Sequence, residues 1–184
     1  NSFDNYMLAI ANEISQVTVA KSTPRREHCY NLSNQNFQQI WNLCYKWAKN
    51  ADHMYELAVD QNQPNFQAIG LTLKVYYMSI CTDMFGSVAY TEGLRGDEGI
   101  LKPHIDSQKE VYEAMMADLE AANSLYDPSQ EMDDPTKDAI YAGDISKWKK
   151  FTNTLPLRLL MRVSGRNDAF TPTVGERIRT IIDD

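Results

Sequence analysis

Few residues in this sequence have the types and spacing that metal binding requires. His28, His53 and His104 have no second His or Cys at the spacing of zinc ligands, so the sequence predicts no zinc site. Residues 131–138 (EMDDPTKD) could offer carboxylates to calcium, but their spacing differs from that of an EF-hand loop. We interpret this segment as a solvated acidic loop, and we predict neither a metal site nor a cofactor.

Neighbouring carboxylates offer little for catalysis either. Asp133 with Asp134, or Glu110 with Glu113, could be imagined as an acid/base pair for glycoside hydrolysis. That chemistry needs two carboxylates facing each other across a cleft, whereas pairs on one loop or one helix surface are typical of solvation. The sequence also lacks a Gly-x-Ser-x-Gly nucleophile motif and a phosphate-binding glycine loop. These observations favour a binding protein over an enzyme.

Binding of sugars would need exposed aromatic side chains, because their faces stack on sugar rings while polar groups hydrogen-bond the hydroxyls. Trp41, Trp47 and Trp148 all lie in apolar stripes with helical spacing. We therefore predict that all three tryptophans pack in the core.

The candidate ligand-binding residues are Tyr90 and Arg95. Both lie in the segment 87–105, which contains three glycines and a proline and is predicted to be an irregular loop. Loops carry binding residues more often than helices do. The sequence leaves a purely structural role open for both residues, beside contact with a ligand or a partner protein.

Apolar residues that recur every three to four positions predict amphipathic helices. These helices and the loops between them position the candidate side chains. A capping box at Ser107 and Glu110 marks the start of one helix. Pro156 predicts a kink in another helix, or a start only near that point. The predicted helices cover about residues 34–60, 65–85, 107–126 and 146–164, with a fifth from Thr171-Pro172 to the end of the sequence.

The predicted helices follow one another along the sequence. We therefore predict an all-α fold of antiparallel helix pairs with long irregular loops. The pairs are 34–60 with 65–85 and 107–126 with 146–164, a tetratricopeptide-like arrangement without the strict 34-residue signature of that repeat. We predict one helical-repeat region over residues 1–184. Because the sequence stops inside the fifth helix, we expect this region to be part of a larger domain.

The amino-acid composition limits the kinds of molecule that this protein is expected to bind. The 184 residues carry a formal net charge of -7, which argues against nucleic acid and against a polybasic membrane contact. The three cysteines cannot form a full disulfide framework. No stretch approaches the roughly 20 apolar residues of a membrane span.

Two sequence blocks, with a helix between them, resemble a known family. Residues 76–92 (YYMSICTDMFGSVAYTE) resemble its pattern of Asp-x-Phe-Gly followed by Tyr-x-Glu. Residues 138–159 (DAIYAGDISKWKKFTNTLPLRL) resemble its Tyr-x-Gly-Asp and Lys-Trp-x-Lys-Phe-x-Asn-x-Leu segment, and residues 111–122 resemble its middle helix. From Phe37 to Arg162 the sequence is thus similar to the N-terminal portion of SusD-like (RagB/SusD) proteins.

The resemblance implies a nutrient-binding protein on a tetratricopeptide-like scaffold. It implies a lipid anchor at the outer face of the outer membrane, a SusC-like TonB-dependent transporter as partner, an oligosaccharide or other nutrient as ligand, and no catalysis. Two alternatives stay open, a helical-repeat adaptor that binds proteins and a helical glycan hydrolase. Exposed Trp or Tyr platforms would favour the nutrient binder, and a concave groove lined by Asn and Lys would favour the adaptor.

Overall fold

The computed structural model describes residues 12–18, 30–31, 34–130, 132, 134–166 and 170–183. Two compact units divide the chain, residues 1–44 and residues 45–184. The first unit contributes a helical turn at residues 12–14 and the start of the first long helix. The candidate site lies within the second unit.

The described residues are helical, which confirms the predicted all-α class. Among them β-structure is limited to one isolated antiparallel bridge, between Val88 and Asp106. Short 3-10 turns lie in the two long loops. The helices are α1 (Asn34–Asp60), α2 (Pro64–Phe85), α3 (Gln108–Leu125), α4 (Ile145–Arg162) and α5 (Val174–Asp183).

The predicted capping box at the start of α3 is confirmed. The Glu110 backbone N–H donates to Ser107 Oγ at 3.3 Å, and the Ser107 N–H donates to Glu110 Oε2 at 2.7 Å. At the end of α2, Gly86 has a φ of 77°, a conformation that side chains with a Cβ rarely adopt. These local signals fix where α2 ends and where α3 begins.

The predicted start of α4 near residue 146 is confirmed, and the alternative start near Pro156 is wrong, because the helix begins at Ile145 and continues through Pro156. The Asp144 side chain caps its first turn by accepting from the Lys147 N–H at 3.0 Å. The predicted start of α5 at Thr171-Pro172 is also wrong, because this helix begins at Val174. There the Glu176 carboxylate accepts from the backbone N–H of Thr173 at 2.8 Å. In both cases a capping side chain satisfies N–H groups at the helix start.

The core of the second unit forms where α2 packs against α3 and α4. Three hydroxyl groups tie these elements together inside it. Thr72 Oγ1 lies 2.8 Å from Thr152 Oγ1, and the Tyr126 hydroxyl lies 3.0 Å from the same Thr152 oxygen. Since each of these buried polar groups has a partner, their burial carries little desolvation penalty. The surrounding apolar cluster contains Ala68, Ile69, Leu71, Ala122, Tyr126, Ile145 and Trp148.

Helices α1 and α2 approach closely at Gly70. A Cβ atom added to this glycine would lie 2.9 Å from the carbonyl oxygen of Ala51 and 2.9 Å from Tyr55 Cβ. The absence of a side chain therefore permits the close helix contact. Small buried residues of α1, Ala48 and Ala51, lie on the same side of that helix.

Apolar residues at helical spacing in α2 predict a buried stripe of Phe66, Ile69, Leu73, Tyr76, Tyr77, Ile80, Cys81 and Met84, but most of this stripe is not the buried face of the helix. The smaller side chains of Thr72 and Val75 are fully buried, together with Met78. Most members of the predicted stripe are instead half-buried, and Met84 is 38% exposed. Because α2 is apolar on nearly every side, periodicity alone could not identify the face that packs. The half-buried members are Phe66, Leu73, Tyr76, Tyr77 and Ile80.

Candidate ligand-binding surface

Aromatic rings from three helices and one loop of the second unit form a continuous line. Trp47 of α1 stacks on Tyr77 of α2 with 6.3 Å between ring centroids, and Tyr77 meets Tyr76 edge-on at 5.4 Å. Tyr76 lies 6.0 Å from Phe151 of α4, which lies 6.4 Å from Tyr141 in the preceding loop. We call these five side chains the aromatic row. It places π-faces from distant parts of the sequence side by side.

The aromatic row is partly accessible to solvent, most of all at Trp47. Trp47 is 44% exposed, and the other four side chains are half-buried. The prediction that Trp47 packs in the core is therefore wrong, whereas Trp148 is buried as predicted and Trp41 is half-buried. In α1 the small residues occupy the contact with α2, so the large Trp47 ring lies at the edge of that contact.

Two cations lie over rings of the aromatic row. Lys46 Nζ is 6.0 Å from the centre of the Trp47 ring, and the Arg158 guanidinium carbon is 6.0 Å from the centre of the Tyr76 ring. Neither cation forms an ion pair with any of the residues that the structure describes. Both positive charges are therefore free to meet a ligand.

A pocket of about 400 Å³ adjoins the Trp47 end of the aromatic row. Lys46 belongs to both, because it lies over the Trp47 ring and also lines the pocket. Across the pocket, Lys49 Nζ lies 3.1 Å from Asp97 Oδ2, which joins α1 to the 87–105 loop. The pocket is lined by Tyr45, Lys46, Lys49, Gly93, Leu94, Gly96 and Asp97.

The 87–105 loop is held to the second unit by Asp106. This carboxylate is only 4% exposed and accepts from the backbone N–H groups of Tyr90 at 2.8 Å and Thr91 at 2.9 Å. The Thr91 hydroxyl also donates to it at 2.9 Å. Burial by itself would raise the pKa of Asp106, but the hydrogen bonds from Thr91 and Tyr90 outweigh burial and lower it. The start of the loop is thereby fixed beside the pocket.

Tyr90 is placed inside the unit, with 6% of its surface exposed. Its hydroxyl donates to Asp118 Oδ2 at 2.6 Å, and Lys74 Nζ lies 2.7 Å from the same carboxylate oxygen. Burial raises the pKa of Tyr90 well above its ordinary value, and the Asp118 charge raises it further. This geometry fixes the Tyr90 side chain inside the unit and leaves little of its ring accessible.

Arg95 differs from Tyr90 because it is exposed. Its Nε lies 4.0 Å from Glu98 Oε1, and just over half of each of these two side chains is accessible. The Arg95 guanidinium is therefore able to reach a ligand at the loop surface. Contact of Tyr90 and Arg95 with a ligand stays a prediction.

A second cavity, of about 530 Å³, lies where the end of α1, the start of α2 and the acidic loop meet. Asp138 organises its rim by accepting from Trp148 Nε1 at 2.7 Å and from the Ile140 N–H at 2.9 Å. The Asp134 carboxylate likewise accepts from the Thr136 N–H. In the part of the chain that the structure describes, no group of three or more His, Cys, Asp or Glu residues is arranged to hold a metal ion.

Sequence reasoning missed the aromatic row as a surface feature. One signal was present in the adjacent pair Tyr76 and Tyr77. Successive residues of an α-helix are turned by about 100° from each other, so two neighbouring aromatic side chains point in different directions. The remaining members, Trp47, Tyr141 and Phe151, gave no such signal.

The fold is a helical scaffold, and its accessible aromatic row beside a pocket is the kind of surface that binds ligands. The chain belongs to the SusD-like family described as starch-binding and associating with the outer membrane, since the family model matches residues 2–182. This match confirms the resemblance found in the sequence. No curated protein is significantly similar to the chain. Within the described residues, no helix is both long and apolar enough to cross a membrane.

Solved structures of SusD homologues share the fold. One from Bacteroides fragilis superposes with a TM-score of 0.78 at 26% identity over 98% of this chain and 36% of its own. One from Bacteroides vulgatus has a TM-score of 0.62 at 30% identity over 73% of this chain and 28% of its own. A SusD-like protein from Bacteroides thetaiotaomicron, at 23% identity, shows the same fold with a TM-score of 0.72 over 90% of this chain and 34% of its own. The chain therefore spans about a third of the length of these relatives.

Proposed function

We propose that the protein binds glycans or similar nutrients at the aromatic row without catalysis, and that it delivers them to a SusC-like TonB-dependent transporter as a lipid-anchored protein of the cell surface. The observation that carries this proposal is the 44% exposure of Trp47, stacked on Tyr77, in a family described as starch-binding. Exposed Trp and Tyr platforms are the feature that separates a nutrient binder from a protein-binding adaptor.

The chemistry of the aromatic row suits sugar rings. The accessible parts of these rings can pack against the apolar C–H face of a pyranose. Asn50, one helical turn beyond Trp47, is exposed and can hydrogen-bond sugar hydroxyls. We propose that Arg95 contacts the ligand from the loop, and that Tyr90 supports the site by holding that loop in place.

Affinity electrophoresis through gels that contain single polysaccharides tests the binding site. We expect one or more polysaccharides to retard the protein, and Trp47→Ala and Tyr77→Ala to migrate freely. Leu57→Ala is the matched control, because this α1 side chain is 46% exposed and lies outside the aromatic row. If both aromatic variants are retarded as strongly as the control variant, the binding surface lies elsewhere.

The transporter partnership needs a separate test. We expect the purified protein to retain a co-expressed SusC-like β-barrel transporter in detergent, with Trp47→Ala retaining it equally because the aromatic row binds the nutrient. If the transporter elutes alone, the delivery part of the proposal fails while glycan binding still stands on the electrophoresis result.

A further inference from the structure

We infer that the glycan bound at the aromatic row is acidic, with carboxylate or sulfate groups that pair with Lys46 and Arg158 while its rings stack on Trp47 and Tyr77. This inference rests on the proposed function and names the substrate class of the same surface. It follows from how charge is distributed around the aromatic row.

Helix α4, which contributes Phe151 to the aromatic row, is basic although the protein is acidic overall. The chain has a formal net charge of -7, yet Ile145–Arg162 contains no Asp or Glu. Lys147 pairs with Asp144, and Arg162 pairs with Asp83. The five cations of α4 are Lys147, Lys149, Lys150, Arg158 and Arg162.

Arg158 has the position needed to bind an anion beside a stacked sugar. It follows Phe151 by seven residues, so both side chains project from the same face of α4. Its guanidinium lies over Tyr76 and forms no ion pair with a described residue. A guanidinium binds carboxylate and sulfate oxygens in pairs, which gives direction as well as charge.

Lys46 provides the second cation, at the Trp47 end of the aromatic row. The carboxylate that shares its pocket is Asp97, and that carboxylate is already bound to Lys49 at 3.1 Å. The hydrogen bond from Lys49 holds the pKa of Asp97 below its usual value, so this ion pair stays charged. Lys49 Nζ also lies 3.6 Å from Asp52 Oδ2 and 3.9 Å from Glu56 Oε1. The charge of Lys46 is thus left for a ligand.

The charged groups over the rings favour an anionic glycan, beside the Asn50 amide, which can donate to or accept from a neutral hydroxyl. Recognition of neutral hydroxyl groups draws on acceptors such as carboxylates and amides as well as on donors. Over the aromatic row the charged groups are the two cations, which donate hydrogen bonds but cannot accept them. An anionic sugar uses both cations fully.

Matched pairs of polymers test this inference. Polygalacturonate and its methyl-esterified form have the same sugar chain with and without charge, and dextran sulfate and dextran provide the sulfate pair. We expect the purified protein to bind one or both acidic members more tightly than the neutral member of the same pair. We also expect that binding to weaken as sodium chloride rises from about 0.05 M to about 0.5 M.

Variants then assign the charge to these two residues. The double variant Lys46→Gln/Arg158→Gln should bind the acidic polymer about three- to tenfold more weakly, as expected for two exposed ion pairs. The control is Lys109→Gln/Arg179→Gln, which removes one Lys and one Arg from exposed positions of α3 and α5. Trp47→Ala should abolish binding of any polymer that binds at the aromatic row.

The outcomes separate the two proposals. Equal binding of acidic and neutral members, or equal losses in the test and control double variants, would overturn the acidic class and leave glycan binding intact. Retardation by no polymer of either kind would overturn the proposed function itself. Tighter binding of polygalacturonate alone or dextran sulfate alone would support the inference and identify the anionic group.

Discussion

At the scale of single residues, environment decides what an aromatic side chain does. Trp47 lies in an apolar stripe of the sequence yet is 44% exposed, whereas Tyr90 lies in an irregular loop yet is 6% exposed. The difference arises because Tyr90 has a half-buried partner, Asp118, for its hydroxyl, while the contact between α1 and α2 uses small residues and leaves Trp47 at its edge. Residue type alone does not distinguish these two situations.

Tyr90→Phe should therefore destabilise the protein without affecting ligand binding. The substitution removes the 2.6 Å hydrogen bond to Asp118 and leaves the ring in place, which costs about 1–2 kcal/mol of unfolding free energy. Urea denaturation measures this loss, and affinity electrophoresis measures binding. Tyr55→Phe is the matched control, because the Tyr55 hydroxyl has no hydrogen-bond partner among the described residues. Weakened glycan binding in stably folded Tyr90→Phe would instead point to direct contact with the ligand.

At the scale of elements, the distribution of side-chain size around α2 sets the architecture. Its small or slender residues, among them Gly70, Thr72 and Val75, are buried at contacts with other helices. Its large aromatic residues, Tyr76 and Tyr77, are only half-buried and form the centre of the aromatic row. One side of this apolar helix thus packs against other helices, while another side carries the partly accessible rings of Tyr76 and Tyr77.

Gly70→Ala tests the close approach of α1 and α2. Alanine has the higher helix propensity and would stabilise an isolated helix by about 1 kcal/mol. Here its Cβ would lie 2.9 Å from the backbone oxygen of Ala51, so the helices must separate, and we expect a net loss of about 1–3 kcal/mol in unfolding free energy. Chemical denaturation provides the measurement.

The control for this substitution is Gly165→Ala, where an added Cβ meets nothing within 4 Å. We expect little change in its unfolding free energy. An unchanged or increased stability of Gly70→Ala would show that the two helices are not in the close contact described.

At the scale of the whole molecule, buried or half-buried carboxylates fix the long loops to the helices. Asp106 holds the 87–105 loop, and Asp138 holds the acidic loop to Trp148. Burial would raise the pKa of Asp138, but hydrogen bonds from the Ile140 backbone and the Trp148 indole outweigh burial and lower it. Both loops that border the candidate site therefore depend on ionised carboxylates.

Stability should consequently fall in acid. A carboxyl group whose pKa is lower in the folded state contributes stability above its unfolded pKa of about 4, and this contribution disappears as pH falls through the folded value. We expect the unfolding free energy from urea titration to be lower at pH 3 than at pH 7. The difference between the two pH values should be smaller in Asp106→Asn, because an amide does not titrate, and unchanged when the exposed Asp60 is replaced by Asn. A full acid loss in Asp106→Asn would show that other groups are responsible.

The positions of the long helices and the family of this protein could be predicted from its amino-acid sequence. Apolar periodicity placed the long helices, Ser107 and Glu110 marked the start of α3, and the two family blocks were sufficient for membership. Local capping also explains why α5 begins later than predicted, since the capping interaction between Thr173 and Glu176 lies at a position that periodicity does not define.

Which apolar faces are buried depends on how the helices pack against each other, and this follows from the tertiary structure. Trp47, Tyr77 and Phe151 are far apart in the sequence and adjacent in the fold, and no local pattern relates them. Periodicity states which residues share one side of a helix, but the neighbouring helices determine whether that side is buried. In α2, close packing at Gly70 and the hydroxyl cluster around Thr72 bury one side of the helix. The aromatic row on another side therefore remains accessible.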